Sequence, residues 1–90
     1  MASTSGNTKA PGIRLRLFAS LREQAGWAER FWPLPAAGSM PLTARQLWPL
    51  LALPANLQDI RIAINQQFAD LDTPLQPGDE LAFLPPISGG

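Results

Sequence analysis

The alternation of apolar and charged residues is clearest near the start of the chain, over Ile13–Leu17. Apolar side chains at every second position predict a half-buried strand, with Ile13, Leu15 and Leu17 facing a core and the intervening arginines facing solvent. Continuing the alternation by one residue places Phe18 on the outward face, where an aromatic side chain is unexpected.

The next segment predicts a short helical turn and a second strand. Ala19–Gln24 fits the turn, with Ser20 as its N-cap and Gly26 as its stop. Trp27–Leu34 is rich in aromatic residues and fits a strand that pairs with the first. Prolines and a glycine over residues 33–41 then indicate a loop.

A capping box predicts the main helix. Thr43 and Gln46 have the spacing at which each side chain accepts a hydrogen bond from the other residue's backbone N–H. Leu47, Leu50 and Leu51 recur at helical spacing and predict one buried face.

Pro49 falls inside this predicted helix. It lacks the N–H that would bond back to Arg45. We therefore expect about two to three turns, kinked or tightened near Pro49 and over by Leu53–Pro54.

The C-terminal half predicts a hairpin and a last strand. Arg61–Ile64 and Gln67–Ala69 fit strands joined by a tight turn at Asn65–Gln66. A turn cluster over Pro74–Gly78 precedes the last strand, Glu80–Leu84. Its inward residues are predicted at positions 81 and 83, which leaves the final leucine outward.

Strands before and after one crossing helix predict an α+β fold. We expect a mixed sheet of about four to five strands packed on one main helix, with the first and last strands side by side at its centre, as in the β-grasp (ubiquitin-like) arrangement. The predicted organisation is a flexible leader over residues 1–12, the domain over 13–84 and an extended tail over 85–90.

The tail has an unusual composition. Pro85 and Pro86 fix φ at successive positions and make a stiff stalk. Gly89 and Gly90 have no Cβ, so the tip can thread into a narrow slot in a partner. This construction favours chemistry performed on the carboxylate of Gly90 by another protein.

Composition narrows the function classes. The chain has 90 residues with seven basic and seven acidic side chains, and no basic stripe typical of nucleic-acid binders is visible. No apolar run is long enough to cross a membrane, and the leader lacks the apolar segment of a signal peptide, so we expect a cytoplasmic protein. Cysteine and histidine are absent, which argues against disulfides, thiolate nucleophiles and Cys/His metal sites.

Carboxylates are the remaining candidates for chemistry. The closely spaced pairs, Asp70 with Asp72 and Asp79 with Glu80, lie beside turn signals. We interpret them as solvated loop charges, so the chain is more plausibly acted upon than catalytic.

Taken together, these segments resemble the MoaD family, the small subunit of molybdopterin synthase. The resemblance covers about residues 13–90. It is carried by the following segments: Ile13–Ala19, Leu21–Glu23, Gly26, Ala63–Gln66, Pro74–Leu75 and Gly78–Gly90.

The resemblance implies a ubiquitin-like sulfur carrier in molybdenum cofactor biosynthesis. A partner would adenylate the carboxylate of Gly90, and sulfur would displace AMP to leave a thiocarboxylate. The tail would insert into the large subunit and give its sulfur to a cyclic pyranopterin precursor. The tail residues concerned are Pro85, Pro86, Ile87, Ser88 and Gly89.

The same resemblance implies which protein would perform each step of the reaction. The chain would be no enzyme by itself, because the active site lies in the large subunit. It would bind no cofactor or metal, and ATP would be used by an adenylating, ubiquitin-activating-like sulfurylase. The expected assembly is a heterotetramer with the large-subunit dimer.

Phe18, Phe68 and Leu84 are predicted to form an apolar patch at the base of the tail, as a partner interface. Three other functions stay open: a sulfur carrier for thiamine thiazole or tRNA thiolation, a protein modifier, and a binding module with an inert tail. The single lysine, Lys9, lies in the leader, so a modifier could not build chains on its own folded domain. For a binding module, deletion of Gly89 and Gly90 should change nothing.

Overall fold

The computed structural model describes residues 11–34 and 41–86. Its five strands and two α-helices follow the predicted order, with bounds within about two residues of those predicted, whereas its 3-10 helix was not predicted. In chain order they are β1 (Gly12–Leu17), α1 (Ser20–Ala25), β2 (Glu29–Pro33), α2 (Ala44–Leu51), a 3-10 helix (Leu57–Asp59), β3 (Arg61–Ile64), β4 (Gln67–Ala69) and β5 (Glu80–Leu84).

The strands form one five-stranded sheet in the order β2-β1-β5-β3-β4. The first and last strands are parallel neighbours at its centre, and the other neighbouring pairs are antiparallel. This mixed sheet with one main helix confirms the predicted β-grasp fold. None of the helices in the described ranges is long and apolar enough to cross a bilayer.

The core lies between the inner face of the sheet and α2. Leu15, Leu81 and Phe83 are fully buried at the centre of the sheet, as the alternation in β1 and β5 predicts. The Trp48 ring of α2 packs on Phe83 with 5.1 Å between ring centroids. A tilted aromatic pair of this kind anchors the helix over the two central strands.

The capping box of α2 is confirmed, but its predicted buried stripe is partly wrong. Thr43 Oγ1 accepts from the N–H of Gln46 at 3.3 Å, and Gln46 Oε1 accepts from the N–H of Thr43 at 3.1 Å. Leu50 is 63% exposed, whereas Trp48 is buried. At about 100° per residue, the buried positions 44, 47 and 48 define a face from which Leu50 points away.

The end of α2 agrees with the expectation of a tightened turn near Pro49. The N–H of Ala52 donates to the carbonyl of Pro49 at 3.2 Å, a bond that spans three residues instead of four. Ala52 itself adopts the left-handed conformation that ends the helix.

At α1 the prediction of Ser20 as N-cap is wrong. Ser20 is the first helical residue, and Ala19 occupies the cap with φ of 53° and no capping side chain. Gly26 ends the helix as predicted, with φ of 84° and its N–H bonded to the carbonyl of Arg22 at 2.9 Å. The predicted tight turn between β3 and β4 is also confirmed, because Asn65 and Gln66 have φ of 54° and 71°.

Candidate functional site

The two central strands end at the same edge of the sheet. Leu17 is the register partner of Phe83 in the parallel β1–β5 pair. The residues that follow, Phe18 and Leu84, therefore leave the sheet next to each other. Pro85 continues directly from β5, so the tail starts at the centre of the sheet and not at its margin.

The predicted patch residues Phe18, Phe68 and Leu84 do come together. They line a shallow concavity of about 330 Å³ on the outer face of the sheet, the face opposite α2. We call this concavity the sheet groove. Phe68 is 74% exposed, whereas Phe18 and Leu84 are half-buried.

The floor of the sheet groove is made by two alanines that the sequence analysis did not single out. Ala82 is the register partner of Ala63, and Ala63 is in turn the partner of Phe68. Because the side chains at these central positions are small, the outer face has a depression there between the bulky residues on either side. The sequence did contain a signal for this floor, because both alanines take outward positions in strands whose other residues are mostly large.

A second, larger concavity lies where the tail leaves the sheet. This tail groove has a volume of about 880 Å³. It shares its apolar wall with the sheet groove and extends over the 3-10 helix. Its lining residues outside the patch are Ala19, Gln58, Asp59, Ile60, Arg61, Pro85 and Pro86.

Two guanidinium groups flank these grooves, and the sequence analysis gave neither a site role. The Arg16 guanidinium carbon lies 4.9 Å from the centroid of the Phe18 ring, and that of Arg61 lies 6.0 Å from the Phe68 centroid. Cations over aromatic faces are attracted by the ring quadrupole. Each of these two rings therefore has a positive charge beside it.

The interpretation of Glu80 as a solvated loop charge is wrong. Glu80 lies in β5 with its side chain 18% exposed, and its carboxylate lies 3.5 Å from Arg16 and 3.9 Å from Arg14. The parallel pairing of Arg14 with Glu80 causes this contact across the outer face. Glu80 thereby holds Arg16 at the rim of the sheet groove.

Asp79 is also more than a solvated charge. Its carboxylate accepts from Asn65 Nδ2 at 2.9 Å and from the N–H of Gln76 at 2.8 Å. Asn65 Oδ1 in turn accepts from the N–H of Glu80 at 3.0 Å. The network fixes the turn between β3 and β4 to the start of β5, at the opposite end of the sheet from the tail.

Asp72 forms a two-bond ion pair with Arg45 of α2. Arg45 Nε and Nη2 donate to the carboxylate at 2.7 and 3.1 Å. The hydrogen bond from Arg45 lowers the pKa of the Asp72 carboxyl, and the same bond raises the pKa of Arg45. Both side chains are more than half exposed, so the pair orients the loop after β4 without burying charge.

The predicted reactive end lies outside the described residues, namely Ile87, Ser88, Gly89 and Gly90. Pro85 is half-buried and Pro86 is exposed. Within residues 11–34 and 41–86, no cluster of acidic side chains could hold a metal ion. The grooves offer apolar contact and charged side chains to a binding partner.

Comparisons of the sequence with known proteins agree with one another on the family. The sequence pattern of the ThiS family matches residues 15–90. The molybdopterin synthase sulfur carrier subunit of Escherichia coli K12 is 33% identical over 85 residues, which cover 87% of this chain and 99% of that protein. The subunit of the same name from Arabidopsis thaliana is 31% identical over 90 residues, 96% of this chain and 91% of that protein.

Solved structures have the same fold. SAMP1, a small archaeal modifier protein, from Haloferax volcanii superposes with a TM-score of 0.68 at 27% identity, over 88% of this chain and 99% of that one. A protein–protein complex of subunits 1 and 2 of molybdopterin-converting factor from Helicobacter pylori contains a chain that matches with a TM-score of 0.57 at 27% identity, over 88% and 99%. With the sequence matches, these structures establish that this chain belongs to the ThiS family, as a MoaD-type ubiquitin-like sulfur carrier.

Proposed function

We propose that this protein is the sulfur carrier subunit of a molybdopterin synthase. The observation that carries the proposal is the tail's origin. It leaves the central strand β5 at Leu84 and Pro85, beside an exposed apolar groove formed by Phe18 and Phe68. A partner that binds the groove would receive the tail in a fixed direction, and the named relatives are carriers of this type.

The proposed chemistry takes place at the carboxylate of Gly90. That carboxylate attacks the α-phosphorus of ATP in the partner's site, pyrophosphate leaves, and an acyl adenylate forms. Hydrosulfide from the sulfur donor then attacks the acyl carbon, AMP leaves with the electron pair of its bond, and the loss of a proton gives a thiocarboxylate. The thiocarboxylate is a soft nucleophile that needs no histidine or cysteine from this chain.

The proposed partners are a large subunit, which holds the active site, and an adenylating sulfurylase. Support for the large subunit comes from the Helicobacter pylori complex, whose two components are subunits 1 and 2 of molybdopterin-converting factor. Two copies of this chain with a large-subunit dimer would give a heterotetramer. The cyclic pyranopterin precursor would be bound by the large subunit.

Intact mass spectrometry tests the proposal directly. The protein is incubated with an adenylating sulfurylase, ATP and a sulfur donor, and its mass is compared with that of a variant lacking Gly90. We expect wild type to gain the mass of one oxygen replaced by one sulfur, and the deletion variant to remain unchanged. An unchanged wild-type mass, with a partner that thiolates its own carrier in parallel, would refute the carrier role.

A second candidate is a protein modifier, favoured by the superposition on SAMP1. In that case the acyl group of Gly90 would pass to an amine of a target protein. The two roles differ in the product that forms when the activated protein is incubated with the large subunit and the precursor. A carrier loses its sulfur and returns to the unmodified mass. A modifier forms a larger covalent conjugate.

A further inference from the structure

Ala82 is almost covered although it lies on the outer face of the sheet. Its neighbours in the chain, Leu81 and Phe83, are fully buried on the inner face, and Ala82 takes the opposite side with an exposed fraction of only 5%. Its nearest neighbours on the outer face, in its own and the adjoining strands, are Arg16, Ala63, Glu80 and Leu84. Since three of these four are large, Ala82 lies at the bottom of a depression and not on a flat surface.

Ala63 is the more open part of the same floor. It is half-buried, with Ala82 beside it in β5 and Phe68 beside it in β4. The Phe68 ring is 74% exposed, so it stands as a wall next to a side chain that ends at its Cβ. This difference in size between neighbouring residues gives the sheet groove its volume of about 330 Å³.

The sheet groove lies on the side of the domain that a partner approaches when it receives the tail. Pro85 and Pro86 line the tail groove, which shares the walls Phe18, Phe68 and Leu84 with the sheet groove. The two concavities are therefore continuous at the base of the tail. A protein that encloses Pro85 and Pro86 also meets the sheet groove.

We infer that the sheet groove is a socket for one apolar side chain of the large subunit, and that Ala63 and Ala82 determine its depth. The inference rests on the proposed function, which assigns the large subunit as the partner that receives the tail. A side chain that enters the groove contacts the two alanines below it and Phe68 beside it, and removes all of them from water. Anchors of this kind, buried in well-packed pockets, carry much of the affinity of an interface.

A socket and a flat apolar surface respond in opposite ways to a larger residue at position 63. On a flat surface, additional methyl groups add apolar contact, so the affinity stays equal or rises. In a socket, the same groups occupy the space of the entering side chain, so the affinity falls.

The test enlarges the floor at Ala63, because a larger residue in place of the covered Ala82 would strain the fold itself. The variants are Ala63→Val and Ala63→Leu. Gln67→Leu is the matched control, because Gln67 is exposed in the neighbouring strand and, as the register partner of Ile64, lies on the other face from Phe68. Titration calorimetry with the large subunit from the same organism gives the dissociation constants, and urea unfolding gives the stability of each variant.

We expect Ala63→Leu to raise the dissociation constant at least about tenfold and Ala63→Val to raise it less. Both variants should be as stable as wild type or more so, because valine and leucine suit a strand at least as well as alanine. Gln67→Leu should bind within about twofold of wild type.

Two results would overturn the inference and leave the proposed function standing: binding of Ala63→Leu as tight as that of wild type or tighter, or an equal loss of affinity in Gln67→Leu. A wild-type protein that does not bind the large subunit would overturn both. The failure of the socket and the failure of the proposed function are therefore distinguishable in one set of titrations.

Discussion

Leu17 lies directly opposite Phe83 in the parallel pairing of β1 and β5. Both side chains are buried on the inner face, so their packing in the core fixes the register of the two strands. Since successive residues of a strand alternate between faces, Phe18 and Leu84 emerge together on the outer face. The packing that stabilises the domain thus also aligns the apolar patch with the start of the tail.

Phe68→Ala should weaken binding to the large subunit without destabilising the domain. Phe68 is 74% exposed, so its truncation should change the free energy of unfolding by less than about 0.5 kcal/mol. If its ring is buried by the partner, the dissociation constant should rise about tenfold or more, as for an aromatic hot spot. Leu84→Ala should act in the same direction. Isothermal titration calorimetry and urea unfolding measure the two quantities.

Leu50→Ala provides the matched control for this surface. Leu50 is 63% exposed, but it lies on α2, on the other side of the sheet from the two grooves. Its truncation should leave the dissociation constant within about twofold. If Phe68→Ala and Leu84→Ala both bind as tightly as wild type, the apolar patch is not the interface.

Gly12→Ala should destabilise the protein because the outer face has no space for a methyl group there. A Cβ on Gly12 would overlap Cζ of Phe31 and would lie 2.6 Å from the carbonyl oxygen of Trp32. The ring can rotate away, but the carbonyl belongs to the neighbouring strand. We expect a loss of about 1–3 kcal/mol in urea unfolding.

The Phe31→Ala background separates these two clashes. With the ring removed, Gly12→Ala should cost less than it does in wild type, and the remaining cost is due to the Trp32 carbonyl. Equal costs in the two backgrounds would exclude the Phe31 ring as the reason for glycine at this position.

Local sequence signals predicted the elements that depend on neighbouring residues. Alternation located β1 and β5, the spacing of Thr43 and Gln46 located the start of α2, and Asn65–Gln66 located the hairpin. Each of these signals acts through contacts within a few residues, so it can be recognised before the fold is known.

Features that depend on tertiary packing were either not predicted from the sequence or predicted wrongly. The stripe of α2 was misassigned because Trp48, and not Leu50, fills the space over Phe83. The contacts of Glu80 with Arg14 and Arg16 depend on the parallel register of β1 and β5, and Arg16 lies 64 residues from Glu80 in the chain. The floor of the sheet groove likewise requires Ala63 of β3 and Ala82 of β5 to be aligned.

Asn65 should contribute to stability in two separable ways. Its φ of 54° is unfavourable for most residues. Its side-chain amide also makes two hydrogen bonds: Nδ2 donates to the Asp79 carboxylate, and Oδ1 accepts from the N–H of Glu80. Asn65→Gly keeps the backbone conformation and loses the hydrogen bonds, so it should cost about 1 kcal/mol. Asn65→Ala loses both and should cost about 1 kcal/mol more. Equal unfolding free energies for the two variants would show that the left-handed backbone adds no strain.

The ion pair between Asp72 and Arg45 should make stability depend on pH in the acid range. The hydrogen bond from Arg45 lowers the pKa of the Asp72 carboxyl in the folded state. A lowered carboxyl pKa stabilises the folded state above the unfolded pKa, and this contribution is lost as the pH falls through the folded pKa. The stability difference between wild type and Asp72→Asn should therefore be present at neutral pH and vanish in acid. Arg45→Gln should return the pKa of Asp72, followed by carboxyl chemical shift, toward its ordinary value. An unchanged titration of Asp72 in Arg45→Gln would contradict the assignment of the shift to this contact.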